Sequence, residues 1–420
     1  MRSEISRRRR VHRSWLHDFR GVSSVLRLAA AGTLLVAVTQ LQSVRAVAQA
    51  QAKAIKPEIR RTLPLTSFYD TPNPLPAGRP GDLIRAEVFE EYALPPGVSA
   101  VRVLYHSRSA TGEDVLASGV VLFPEDETPP AGGWPVIAWA HGSRGVARQC
   151  APSLMRDLDS GSFLSMYVEM GYAVVATDYT GLGTRFRNAF SDMQSNATDV
   201  SNSIPAARSA VPQLGRKWVA LGTSEGGMAV AALAELETEV RDANYLGGIA
   251  ISGVAETKDL YEHLAQGPSH DVLAFLAYGI KTVYPEFQPG DMLTEKALTL
   301  YHQIEEACAI AQTGREIAAG EMLKPHWQDD KYVKQYFARN TLGQKPAYGP
   351  LLVISGETDP ALPLPATAPV IARMCKQGDR IQFEKYPDPD PRSLAGNSVM
   401  SQITWIRARF SGAQAPANCP

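Results

Sequence analysis

The stretch Lys217–Gly227 reads KWVALGTSEGG and places glycine, serine and glycine at 222, 224 and 226. A serine on a sharp turn between strand and helix sits in strained backbone geometry with its Oγ exposed. Its neighbours two residues to either side must then be nearly free of side chain. The residues before Ser224 are strand-like and those after it, EGGMAVAALAELE, are helix-like, which is the context the motif requires. In that setting Ser224 is a candidate nucleophile toward a carbonyl carbon. The backbone N–H of Glu225, at the start of the helix, is a candidate donor to the oxyanion that forms. The plainer alternative is a glycine-rich turn carrying an ordinary serine.

Two further stretches fit the same chemistry. WAHGSRGVARQC, around His141, closes an apolar strand and can aim a second backbone N–H, that of Ser143, at the same oxyanion. His141 is then a support for the loop. Asp359, in LLVISGETDPALP, follows a strand late in the chain, where an acid would orient a base. The plainer reading of Asp359 is a solvated loop carboxylate.

The elements that must hold these residues alternate. Strand-like runs at 101–107, 115–123 and 134–142 lead into SFLSMYVEMGY (helix), YAVVATDY (strand), SNSIPAARSAVPQ (helix) and KWVALG (strand). A helix and the strand YLGGIAISG follow. Short apolar strands separated by helices predict an α/β fold, with a mostly parallel sheet covered on both faces. From about 256 to 340 the pattern is helical instead, with Leu293, Ala297, Leu300, Ile304 and Cys308 predicting one face of a single helix. The strand–helix pattern then resumes through IQFEKY to SQITWIRARF. The expected organisation is a leader at 1–48, a core at 49–255 and 341–420, and a helical insertion at 256–340.

The leader reading rests on an arginine-rich start, the apolar run Leu28–Val38 and small residues around Ala46–Ala50. That run is too short to span a bilayer and suits an export signal of the general or the twin-arginine type. No later segment has the roughly 20 apolar residues of a membrane helix, so no stable membrane span is expected after signal removal. Residues 1–48 carry nine arginines and two acids; the whole chain is at −1, which leaves residues 49–420 at −8. An acidic exported protein is a poor fit to nucleic-acid binding. Four cysteines, Cys150, Cys308, Cys375 and Cys419, form an even set that favours disulfides in any of three pairings, against four buried thiols. With no C-x-x-C spacing zinc is not expected, and the chain's motifs require no other metal or cofactor. Asn196-Ala-Thr198 is a glycosylation sequon, Trp218 reads as core, and Glu305 and Glu306 read as a solvated helix face.

Together FYDTP, AGRPGDLIRAE, HGSRGVARQCAPS, DYTGLGT, GTSEGG, GETDPALP and WIRARFSGAQAPANC resemble the α/β-hydrolase superfamily and, within it, the secretory lipase family. The resemblance implies an α/β-hydrolase fold with a helical lid over the site and an exported esterase or lipase acting on small-molecule acyl esters. It also implies Ser224 and Asp359 as two members of a triad, and disulfides Cys150–Cys308 and Cys375–Cys419.

One residue departs from the family pattern. After the last strand the family implies a loop carrying a catalytic histidine, in the order Ser, Asp, His. Here the loop is YPDPDPRS; Pro391 stands at the histidine's place, and no histidine follows His326. Asp388 and Asp390 lie in that loop as weak substitutes. His263, His270, His302 and His326 belong to or border the insertion and could reach in. His141 points from the wrong strand end, His106 is on an early strand, and His12 and His17 go with the leader. Two functions follow: an exported serine ester hydrolase with an unidentified base, or a degenerate relative that binds an acyl or apolar ligand without efficient turnover. A peptidase is a weaker third.

Overall fold

The computed structural model describes residues 62–125, 127–306, 308, 317–387 and 391–419. The expected leader, Asp388 and Asp390 lie outside the described residues. Nine strands form one sheet in the order β1-β2-β3-β5-β4-β6-β7-β8-β9. They are β1 (Leu83–Val88), β2 (Val98–Arg108), β3 (Asp114–Pro124), β4 (Trp134–Ala140), β5 (Ala173–Thr177), β6 (Leu214–Thr223), β7 (Tyr245–Ile251), β8 (Leu351–Gly356) and β9 (Ile381–Tyr386). β1, β2, β3 and β5 pair antiparallel, and every pairing from β5 through β4 to β9 is parallel.

Side chains alternate across the central strands, so each feeds two cores. Trp218 and Ala220 of β6, with Leu351 and Val353 of β8, pack beneath helices α2 (Met193–Ala210), α3 (Glu225–Val240) and α9 (Leu364–Lys376). Val219 and Leu221, with Leu352 and Ile354, pack on the opposite face against α1 (Gly161–Glu169), α10 (Pro391–Asn397) and α11 (Val399–Phe410). Trp218 is core as expected, and its Nε1 donates to Asp242 Oδ2 at 2.8 Å.

Between β7 and β8 the chain runs through α4 (Thr257–Gln266), α5 (Val272–Val283), α6 (Pro289–Met292), α7 (Glu295–Tyr301) and α8 (Lys331–Arg339). These helices share an apolar cluster of their own, which includes Phe275, Leu276, Met292 and Tyr336 and also takes in Val146 and Phe190 from the core. The single helix expected across 293–308 is shorter. α7 stops at Tyr301 and turns follow, yet Ile304 remains fully buried as the apolar spacing requires. Glu305 is not merely solvated: it accepts a hydrogen bond from Tyr278 at 2.7 Å.

Disulfides Cys150–Cys308 and Cys375–Cys419 both form. The second holds the tail against the edge strand. Asn418 donates through its backbone to Ile381 O at 3.0 Å, and its side chain accepts from Phe383 N at 2.6 Å and donates to Phe383 O at 2.9 Å. An open parallel edge is thereby covered.

Candidate active site

Ser224 links β6 to α3 with φ 54° and ψ −123°, a left-handed backbone that costs a non-glycine residue about 1–3 kcal/mol. The flanking glycines are steric requirements. A Cβ on Gly222 would lie 2.3 Å from the Gly226 carbonyl oxygen, and one on Gly226 would lie 2.0 Å from that of Ala140. The turn is pinned to the next strand by Ser224 N–H donating to Ile251 O at 2.8 Å.

The loop after β4 runs beside this turn. A Cβ on Gly142 would sit 3.4 Å from Ser224 Cβ. His141 is buried, and its ring nitrogens both lie against backbone carbonyls: Nδ1 2.7 Å from Gly142 O and Nε2 3.1 Å from Asp178 O. Tyr179 packs on the ring at 4.3 Å and donates its hydroxyl to His141 O at 3.0 Å. His141 therefore shapes the loop and does not face Ser224. Among the described residues, the backbone N–H groups of Ser143 and Glu225 donate to no other protein group.

Two buried carboxylates brace this end of the sheet. Asp178 accepts from Ser118 Oγ at 2.6 Å and from Ser153 N at 2.8 Å, and burial pushes its carboxyl up. Asp199, on α2, accepts from Thr180 N at 2.7 Å, Thr180 Oγ1 at 3.0 Å and Ser107 Oγ; burial pushes it up to about 6. Sequence reading gave neither a role. Asp178 sits inside the DYTGLGT motif, and Asp199 looks like one more polar residue of a helix face.

Asp359 follows β8 and is 3% exposed. It is not a solvated loop acid. Its Oδ1 accepts from Ala361 N at 2.9 Å and Leu362 N at 3.1 Å, and its Oδ2 from Ser252 Oγ at 3.0 Å. Ser252, at the end of β7, has φ 44° and is fully buried. Sequence reading passed over Ser252, because a serine after a strand carries no periodic signal.

Among the described residues, no histidine hydrogen-bonds to Ser224 or Asp359. His263 comes near the acid's loop, with Nε2 2.7 Å from Pro360 O, but on an exposed side chain. His270 meets Gly267 O and Ile317 O, His326 lies 3.7 Å from Asp329, His302 abuts Tyr301, and His106 pairs with Asp114. Pro391 begins α10, a position where its missing N–H costs nothing.

Ser224 opens into a cavity of about 540 Å³. Trp139 and Phe163 supply apolar wall, Asp157 and the ion-paired Arg144 and Asp159 supply charge, and Ala395 and Gly396 of α10 close one side. Among the described residues, those lining it belong to 139–163, 223–224 and 395–396, and none to α4–α8. Among the described residues, no group of three or more His, Cys, Asp or Glu could hold a metal.

A family model described as secretory lipase matches residues 157–418. The chain belongs to the secretory lipase family. Its fold is similar to Candida antarctica lipase A in its closed state, at 17% identity over 85% of this chain and 89% of that one, with a TM-score of 0.72. A putative hydrolase from Legionella pneumophila matches at 18% identity, 78% and 98% coverage and a TM-score of 0.68. The rice cell wall degrading esterase LipA from Xanthomonas oryzae matches at 18%, 79% and 98%, and 0.64. At such identities these likenesses establish the α/β-hydrolase fold. No curated protein matches the chain. Membership supports a lipase-like hydrolase with a small-molecule lipid or ester substrate, and the family and two disulfides together suggest export. Among the described residues no helix is long and apolar enough to cross a membrane.

Proposed function

We propose that this secretory lipase family member is an exported serine ester hydrolase that works without a histidine base. The observation that carries the reading is Ser224 at φ 54° between β6 and α3, facing a cavity beside two uncommitted backbone N–H groups. Ser224 Oγ attacks the ester carbonyl carbon. The N–H groups of Ser143 and Glu225 receive the oxyanion, the alcohol leaves, and water then hydrolyses the acyl-serine. The Oγ proton passes to solvent. Losing the histidine from a serine triad costs on the order of 10⁶ in kcat and leaves about 10³–10⁴ over water from the oxyanion hole and binding. Slow turnover, fastest on esters with good leaving groups, is the expected behaviour. The helices of 256–340 serve as a cap, and residues 1–48 as a removable leader.

A second reading, ligand binding with negligible turnover, is favoured by Asp359: its carboxylate accepts from Ser252, Ala361 and Leu362 and, among the described residues, meets no histidine. Hydrolysis of a short-chain p-nitrophenyl ester by the purified protein and by Ser224→Ala separates the two. Equal rates refute the active serine.

A further inference from the structure

The side chain of Glu225 has a task separate from its backbone. It is 7% exposed, and its carboxylate gathers three segments. Oε2 accepts from Ser143 Oγ at 2.7 Å; Oε1 accepts from Ser191 N at 2.8 Å and Asn196 Nδ2 at 3.0 Å. Ser143 belongs to the loop after β4, Ser191 to the turn before α2, and Asn196 to the first turns of α2. Among the described residues no Lys, Arg or His pairs with this carboxylate. It is held by neutral donors and by its place in the first turn of α3, where the helix dipole favours an anion.

We infer that Glu225 is the positioning residue that sets the oxyanion hole, by fastening the Ser143 side chain so that the Ser143 N–H and its own N–H converge beside Ser224. The inference rests on the hydrolase reading above. Glu225 is joined covalently to the nucleophile, so whatever fixes Ser143 to Glu225 fixes one oxyanion donor relative to the other. A displacement of about 1 Å at such a donor costs on the order of 10²-fold. The sequon also finds its explanation here. Asn196 is 2% exposed and is spent on Glu225.

Three variants test this: Ser143→Ala, Glu225→Ala and Glu225→Gln. Glutamine can still accept from Ser191 N and Asn196 through its oxygen and donate to Ser143 Oγ. Ester hydrolysis and amide hydrogen exchange over residues 141–145 are read on each. Ser143→Ala and Glu225→Ala should lower kcat about 10–100-fold with KM little changed and speed exchange in that loop at least tenfold. Glu225→Gln should stay within tenfold of the wild type in both. Unchanged exchange in both alanine variants, or a loss carried by KM alone, overturns the inference. If the wild-type protein hydrolyses nothing, the hydrolase reading falls, and exchange alone then decides whether Glu225 holds the loop.

Discussion

Ser252 Oγ donates to Asp359 Oδ2 at 3.0 Å, on the buried carboxylate that we propose as the acid of a serine triad. A buried carboxylate oxygen left without a donor costs about 1–3 kcal/mol. Among the described residues no histidine donates to Asp359, and Ser252 is the side-chain donor to its Oδ2. Introducing a histidine by Pro391→His should therefore change what Ser252 is worth. Ser252→Ala should destabilise the wild type by about 1–3 kcal/mol in urea unfolding, and measurably less in a Pro391→His background. Additive effects would show that the histidine introduced by Pro391→His does not reach Asp359.

The same substitution bears on turnover. Pro391→His should raise kcat for a short-chain ester by at least tenfold, with Ser224→Ala abolishing the gain. No gain would mean that the defect extends beyond the base.

Asp199 gives a pH signature. Its carboxyl is raised to about 6 in the folded protein, against an ordinary value near 4 in the unfolded chain. The folded state thus holds the proton more tightly, so this group favours folding below about pH 4 and loses that contribution as pH rises through 6. A shift of about two units corresponds to roughly 3 kcal/mol. Between pH 4 and 7, stability of the wild type should fall relative to Asp199→Asn by an amount of that order. Parallel pH profiles for the two proteins would contradict this.

Asn196 should remain unmodified when the protein is produced in a glycosylating host, because its amide is buried against Glu225. Peptide mass spectrometry over residues 193–208 reads this directly, and glycan at Asn196 would contradict the buried arrangement.

The tail disulfide should matter for solubility as well as stability. Replacing Cys375 and Cys419 by serine removes about 2–4 kcal/mol and frees the β9 edge that Asn418 covers. A lower thermal midpoint with concentration-dependent association is expected.

The parts of this architecture that repeat, or that steric rules force, were legible in the sequence. Alternating apolar runs gave the strands and the helices covering them, and Gly222 and Gly226 marked the turn because no other residue fits against Gly226 O and Ala140 O. The residues bracing the site were not legible. Glu225, Asn196, Asp199 and Ser252 act through contacts between segments far apart in sequence, and each is an unremarkable polar residue in its own window. Nor does periodicity say what the insertion covers. An apolar helix such as α5 must be buried, but its spacing does not say against what.

The central claim, a reactive serine without a base, is tested most directly by trapping the acyl-enzyme. p-Nitrophenolate leaves without an acid, whereas deacylation needs an activated water, so acyl-serine should accumulate during reaction with p-nitrophenyl acetate. Peptide mass spectrometry should find a single acetyl group on the Ser224 peptide, absent from Ser224→Ala and depleted in Pro391→His. No adduct on Ser224, with the same ester hydrolysis by wild type and Ser224→Ala, would contradict the account.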